Sequence, residues 1–219
     1  MNQLQAIVFD MDGLMVDSEP LSQQAWDEYL RPYGHKLTEE IVSSIIGLRA
    51  DMSTPTIKAM FNLPEPVPVI IQKRAAIYSQ IRASGVPTMP GLHELHTEIA
   101  RRQIAWAVAT SSPRHHAEEI LQQLGLHNRC QAIAAGDEVT HGKPNPAIYL
   151  LAAERLGIPP KQCLALEDSG PGSLAAVRAG MTTIAIPNAQ TKTADFSHAH
   201  HRYNSLHDML ANLDTFFGN

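Results

Sequence analysis

Ala6-Ile7-Val8-Phe9-Asp10-Met11-Asp12-Gly13-Leu14 runs four apolar residues straight into two aspartates one residue apart, followed by a glycine. The apolar half, with its β-branched and aromatic side chains, predicts a buried strand. On an extended backbone Asp10 and Asp12 point to the same side and Met11 to the other. Two like charges at the mouth of an apolar sheet repel, so the pair implies a raised pKa on one carboxyl or a cation between them. An oxygen-seeking divalent ion such as Mg²⁺ meets both needs. Gly13 supplies a backbone that turns sharply and lets a ligand approach. Taken alone, the segment reads equally as a strand ending in an ordinary Asp-Gly turn, and later parts of the chain decide between the two.

With 219 residues the chain can bury a substantial core, as one domain with an insertion or as two modest domains. Its 44% hydrophobic and 18% charged residues are ordinary for a soluble globular protein. A net charge of −5, with no run of Lys or Arg, argues against nucleic acid or an anionic membrane as partner. An anionic substrate must then be drawn by local charge. Cys130 and Cys163 lack metal-ligand spacing, and reduced thiols in a cytoplasmic protein are the expected state. No signal peptide, lipidation site, membrane span or internal repeat is expected.

After Gly13 the pattern turns helical and stays so. Asp17-Ser18-Glu19-Pro20 starts a helix carrying Leu21, Ala25 and Tyr29, which Gly34 ends. Thr38-Glu39-Glu40 starts a second, through Ile46; further helices are expected from Met52 to Leu63 and from Val69 to Arg82. From Pro87 strands and helices alternate. Strands are expected at Ile104–Ala109, Ala132–Ala135, Cys163–Leu166 and Thr182–Ile186, separated by helices that present Leu92, Leu95 and Ile99, then Ala117, Ile120 and Leu121, then Ile148, Leu151 and Ala152. A last amphipathic helix carries Leu206, Met209, Leu210, Leu213 and Phe216. Repeated βα units build a parallel sheet covered on both faces, and the helical block reads as a separate insertion after the first strand.

Ligands of such sheets bind beyond the carboxyl ends of the strands. The first strand ends in Asp10 and Asp12. The second ends in Thr110-Ser111-Ser112-Pro113, with Ser112 as expected N-cap and Pro113 as first helical residue, a natural phosphate cradle. Lys143-Pro144 follows the third, and Glu167-Asp168-Ser169 ends the fourth. Two carboxylate clusters, a hydroxyl and one lysine at adjacent strand ends suit Mg²⁺-assisted handling of a phosphoryl group.

The order Asp-x-Asp-Gly, Thr-Ser-Ser, Lys-Pro and Glu-Asp-Ser, with Gly172 four residues past the last aspartate, resembles the haloacid dehalogenase superfamily over essentially the whole chain. Within it, Phe9-Asp10-Met11-Asp12-Gly13, Asp17-Ser18-Glu19-Pro20-Leu21, Gly47-Leu48-Arg49-Ala50-Asp51-Met52 and Leu166-Glu167-Asp168-Ser169 are similar to segments of hexose and hexitol phosphate phosphatases. These belong to the branch with a helical cap after the first strand, which also contains β-phosphoglucomutase.

The resemblance implies a Rossmann-like, doubly wound α/β core over residues 1–16 and 87–219, with a helical cap over 17–86. It implies a monomeric, cytoplasmic, Mg²⁺-dependent phosphatase acting on hexose, deoxyhexose or hexitol phosphates through an aspartyl phosphate. Asp10 would be the nucleophile and a metal ligand, Asp12 the general acid and base with its carbonyl on the metal, and Asp168 would complete the metal site with Asp10, with Glu167 at or just behind the metal. Thr110, Ser111 and Lys143 would hold the phosphoryl oxygens. Arg49 and Glu19 are candidate substrate contacts, followed by Met15 and Arg114. His198, His200 and His201 are expected in a solvated loop.

Two other readings stay open at this point. A phosphosugar mutase would carry a histidine where Ser22 stands and a lysine where Pro113 stands, and both departures favour hydrolysis. A phospho-receiver signalling domain shares the acidic residues, Thr and Lys on a parallel sheet, but has no use for a helical insert; steady Mg²⁺-dependent release of phosphate from p-nitrophenyl phosphate separates it from an enzyme.

Overall fold

The computed structural model describes residues 4–218. Strands β1 (Ala6–Phe9), β2 (Ala105–Ala109), β3 (Ala132–Ala134), β4 (Cys163–Glu167), β5 (Thr182–Ala185) and β6 (His201–Arg202) form one sheet in the order β3-β2-β1-β4-β5-β6. Every pairing is parallel, and Val8 lies level with Ala107 on one side and Ala165 on the other. The chain winds outward in one direction from β1 to β3 and in the other from β4 to β6. The reversal falls between β1 and β4, where a ligand crevice opens at the carboxyl ends of the strands.

Alternation along β1 explains its central place. Ile7 and Phe9 enter the core on one face with Leu92, Leu95, Ile120 and Met209. Ala6 and Val8 enter the core on the other with Ile148, Tyr149 and Ala175. All four are inaccessible to solvent, as a parallel strand covered on both faces must be. The first face is covered by α5 (Leu92–Arg101), α6 (Arg114–Gln123), α9 (Leu206–Ala211) and α10 (Leu213–Phe217), and the second by α7 (Ala147–Leu156) and α8 (Gly170–Arg178). Ser169 caps α8 by accepting a hydrogen bond from Gly172 N at 3.2 Å. Among the described residues no helix is long and apolar enough to cross a membrane.

Between β1 and α5 lie α1 (Glu19–Leu30), α2 (Glu39–Ile45), α3 (Ala50–Met60) and α4 (Val67–Arg82). They share an apolar centre of their own in Trp26, Tyr29, Leu30, Ile57 and Ile70. Thr38 Oγ1 caps α2, accepting from Ile41 N at 3.4 Å.

The structure corrects the sequence reading in three places. His201–Arg202 is a strand, not a loop: His200 N donates to Thr183 O at 3.0 Å and Tyr203 N to Ala185 O at 2.9 Å, so the edge of β5 supplies the order that the local sequence lacks. The last amphipathic helix is two, α9 and α10, separated by Asn212. Ser112 does not cap α6, because its hydroxyl is spent on Asp12; Pro113 occupies the cap position, and Asp137 Oδ1 accepts from Arg114 N at 3.0 Å.

One buried imidazole makes the core sensitive to acid. His96, 3% exposed, lies between Phe9 (ring centroids 4.9 Å apart) and Trp106 (4.4 Å), and its Nε2 has no partner among the described residues. Burial pushes its pKa down from 6.5 to about 4. Between those values the unfolded chain takes up a proton that the folded chain refuses, so this contribution is complete above the higher value and is lost as pH falls toward the lower. Urea titrations should show His96→Phe gaining about 2–3 kcal/mol relative to wild type between pH 7 and pH 4.5. A stability difference that does not change with pH would contradict this account.

Candidate active site

The carboxyl ends of β1, β2 and β4 lie side by side, and each delivers polar side chains to one place. Asp10 follows β1 and is 5% exposed. Its Oδ1 accepts a hydrogen bond from Lys143 Nζ. Lys143, 1% exposed, also donates to Glu167 Oε1 at 2.7 Å and to Ala109 O at 3.1 Å. Glu167 is the last residue of β4. Its Oε1 accepts in addition from Tyr149 Oη at 3.0 Å, and its Oε2 from Ser169 N at 2.8 Å and Ser169 Oγ at 2.9 Å. Asp168 follows, with Oδ2 accepting from Asn188 Nδ2 at 2.9 Å. Asp10, Glu167 and Asp168 offer carboxylate oxygens within 4.8 Å of one another.

Three buried carboxylates around one ammonium leave an excess of negative charge. Burial raises the Asp10 carboxyl well above its usual range, and Glu167 and Asp12 push it further while Lys143 pulls it back. Burial does the same to Asp168, reinforced by Glu167, Glu19 and Asp10. For Lys143 burial opposes the charge, but Asp10 and Glu167 overcome it and hold the pKa above its ordinary value, so the ammonium persists. A hard divalent cation is the partner that this donor set fits: it supplies the missing charge and takes oxygen ligands only.

Backbone geometry permits the crowding. Gly13 has φ +83°, and a Cβ there would stand 2.4 Å from Asp168 Oδ2 and 2.7 Å from both Asn188 Nδ2 and Glu19 Oε1. At Gly172 a Cβ would fall 1.6 Å from Glu167 Oε1. Any side chain at either position would displace the carboxylates.

Asp12 stands on the cavity side of this cluster. Oδ1 accepts from Ser18 Oγ at 2.7 Å; Oδ2 accepts from Ser112 Oγ at 2.8 Å and Thr110 Oγ1 at 3.2 Å. Asp10, Asp12, Ser111 and Ser112 from the sheet side close a cavity of about 220 Å³ with residues of the helical insert, Glu19, Trp26, Arg74 and Tyr78 among them. Burial, with Asp12 behind it, pushes Glu19 up to about 8. The insert is fastened to the sheet side around this cavity. Ser111 Oγ donates to Gly47 O at 3.0 Å, Arg82 pairs with Glu119, and Arg49 Nη1 donates to Gly136 O at 2.8 Å and Val139 O at 2.5 Å.

A family model described as haloacid dehalogenase-like hydrolase matches residues 7–186, from β1 past the end of β5. The chain is a haloacid dehalogenase-like hydrolase. This hydrolase is 31% identical over 185 residues to a phosphorylated carbohydrates phosphatase of Thermotoga maritima, covering 83% of the chain and 84% of the relative. It is 32% identical over 191 residues to hexitol phosphatase B of Escherichia coli K12, with 84% of each covered. Among solved structures it superposes on CbbY from Rhodobacter sphaeroides in complex with phosphate, with a TM-score of 0.85 and 29% identity over 97% of this chain and all of the other. The expected family is thereby established, and the expected enzyme class, a phosphoric monoester hydrolase, agrees with these relatives.

Of the residues singled out from the sequence of this hydrolase, the fold gathers Asp10, Asp12, Thr110, Ser111, Lys143, Glu167, Asp168 and Glu19. Thr110 is fully buried behind Asp12, where it also accepts from Ser112 N at 3.0 Å. Arg49 is not on the cavity wall; besides the loop after β3 it binds Asp51 at 2.6 Å, so it ties the insert down. Met15 is core, and Arg114 is anchored on Glu138 Oε1 at 3.0 Å and Ile133 O at 2.8 Å. The reading missed Asn188, which bridges Asp168 and Gly13 O (3.1 Å). Its position just past β5 was the available signal. It also missed Tyr149, whose apolar setting on α7 conceals the hydroxyl that binds Glu167.

Proposed function

We propose that this hydrolase is a divalent-dependent phosphatase of small phosphorylated sugars, acting through an aspartyl phosphate on Asp10. The observation that carries the reading is the pairing of Lys143 with Asp10 beside Asp168 at the carboxyl end of the central strand, facing a cavity that also contains Asp12. Sugar specificity comes from the relatives, whose names include hexitol and fructose-1-phosphate phosphatases.

In this proposal Asp10, Asp168 and the main-chain carbonyl of Asp12 would hold Mg²⁺, which would supply positive charge to the phosphoryl oxygens and to both carboxylates. Glu167 has both oxygens committed to hydrogen bonds and instead positions Lys143. Asp10 gives Oδ1 to Lys143 and uses Oδ2 to attack phosphorus, forming the aspartyl phosphate as the P–O bond to the sugar breaks. Asp12 gives a proton to the departing sugar oxygen and then takes one from the water that hydrolyses the intermediate. Ser18, Thr110 and Ser112 fix its carboxylate for both steps. The Ser111 N–H receives a nonbridging oxygen, and the Lys143 ammonium, whose three N–H groups go to Asp10, Glu167 and Ala109 O, offsets the phosphoryl charge through space. Residues 17–86 work as a lid that excludes water from the attack, held shut through Arg49, Arg82 and Ser111. Ser22, at the position of the mutase histidine, is bonded to Arg74, which supports hydrolysis over phosphate transfer within the sugar.

The test is phosphate release from a panel of hexose, deoxyhexose and hexitol phosphates with and without Mg²⁺. Chelation with EDTA should stop turnover, and Mg²⁺ should restore it. Because the ion binds only the folded chain, Mg²⁺ at a hundred times its Kd should raise Tm by roughly 5–10 °C. Turnover that is indifferent to EDTA, or no thermal shift with any divalent ion, would refute the metal assignment.

A further inference from the structure

The insert side of the cavity holds a charge that phosphoryl transfer does not use. Arg74, on α4, lines the cavity and is the one Lys or Arg among the described residues that do so. Its guanidinium is held between aromatic faces, 5.4 Å from the ring centroid of Trp26 and 5.0 Å from that of Tyr78. Nη2 donates to Ser22 O at 3.1 Å and to the Ser22 hydroxyl. The buried Nε has no hydrogen-bond partner, and among the described residues no carboxylate pairs with the side chain. The facing carboxylate, Asp12, is occupied by three hydroxyls. The other basic group on the wall, His116, is pushed by burial to about 4 and is neutral near pH 7.

A buried guanidinium is ordinarily retained with an anion, because desolvating the charge is costly. Neighbouring hydroxyls can satisfy an N–H but do not neutralise the cation, and the ring faces offset only part of the loss. We propose that Arg74 receives a second anionic group of the substrate, a carboxylate or a further phosphate carried by the sugar away from the ester that Asp10 attacks. The inference rests on the phosphatase reading and narrows its substrate class to sugar-acid phosphates and sugar bisphosphates. Lys143 and the metal would neutralise the scissile phosphate at one end, and Arg74 the distal anion at the other, so that an otherwise acidic cavity selects a doubly anionic substrate.

The test compares matched pairs: 3-phosphoglycerate with glycerol 3-phosphate for the carboxylate, and fructose 1,6-bisphosphate with fructose 1-phosphate for the second phosphate. In wild type the anionic member of at least one pair should show kcat/KM about tenfold or more above its neutral partner, the pair concerned identifying which anion is meant. Arg74→Met should bring that ratio close to one, mainly through KM, and Arg74→Lys should recover part of it. Should Arg74→Met fail to fold, the ratio in Arg74→Lys decides, with a severalfold fall expected and an unchanged ratio overturning the proposal. Equal or better use of the neutral partners by wild type, or a preference that survives Arg74→Met, also overturns it. If wild type releases phosphate from p-nitrophenyl phosphate but shows no preference in either pair, only this inference fails. If it releases phosphate from no ester at all, the phosphatase reading fails and takes the inference with it.

Discussion

Asp10→Asn should reduce phosphate release by about 10³-fold or more for every substrate while leaving the fold intact. An amide oxygen is a poor nucleophile toward phosphorus, and nothing else at the end of β1 can replace it: Asp12 is held by Ser18, Thr110 and Ser112, and Glu167 by Lys143, Tyr149 and Ser169. The fold survives because the carboxylate at position 10 is not there for stability. Burial and two neighbouring carboxylates work against its charge, and an amide of the same shape removes that repulsion while Lys143 keeps Glu167. Without divalent ions the melting temperature should therefore stay within a few degrees of wild type. The Mg²⁺-induced rise in Tm should shrink, because one ligand has lost its charge. A variant with near-normal turnover would show that Asp10 is not the nucleophile.

Lys143→Met should fail in the opposite manner, losing stability as well as turnover. Among the described residues its ammonium is the one cation bonded to Asp10 and Glu167, and it is as buried as they are. Removing one partner from a buried charge cluster strands the others, which costs about 3–5 kcal/mol. The loss should be smaller in acid, where protonation relieves the stranded carboxyls, so the gap to wild type narrows as pH falls. Paired urea titrations at pH 5 and pH 8 measure this directly. Turnover should fall by about 10²-fold or more through lost stabilisation of the phosphoryl oxygens, and Mg²⁺ should restore part of the stability. Equal stability of Lys143→Met and wild type at pH 8 would mean that the lysine is not the counter-ion of this cluster.

The parts of the site legible in the sequence are those in which one strand carries both the fold signal and the chemistry. In β1 the apolar run sets the strand, and the alternation that buries Phe9 decides where Asp10 emerges. At β4 the same alternation separates Glu167 from Asp168. One is turned to Lys143 and Tyr149, and the other is held by Asn188 beside Asp10; the adjacency of two acidic residues in sequence hides this division of labour. Arg49 and Arg114 show the limit of local reading. A loop arginine announces a charge, but the carbonyls of 136 and 139, or that of Ile133, lie far along the chain, and only the assembled sheet brings them within reach. His201–Arg202 lacks β-propensity altogether and is a strand only because β5 offers an unpaired edge. Asn188 and Arg74 fall in the same class, since each gains its meaning from a partner that the fold supplies.

The proposal that Asp10 attacks phosphorus is tested most directly by chemical quench. Wild-type enzyme turning over a sugar phosphate in Mg²⁺ is stopped within milliseconds and reduced with borohydride, which converts an aspartyl phosphate to homoserine, and the peptide spanning residues 6–14 is sequenced by mass spectrometry. Homoserine at position 10, absent from the Asp10→Asn protein and from samples treated with EDTA, is the result this account predicts. A modification at position 12 or at another residue, or steady turnover with no trapped intermediate at any quench time, would contradict it.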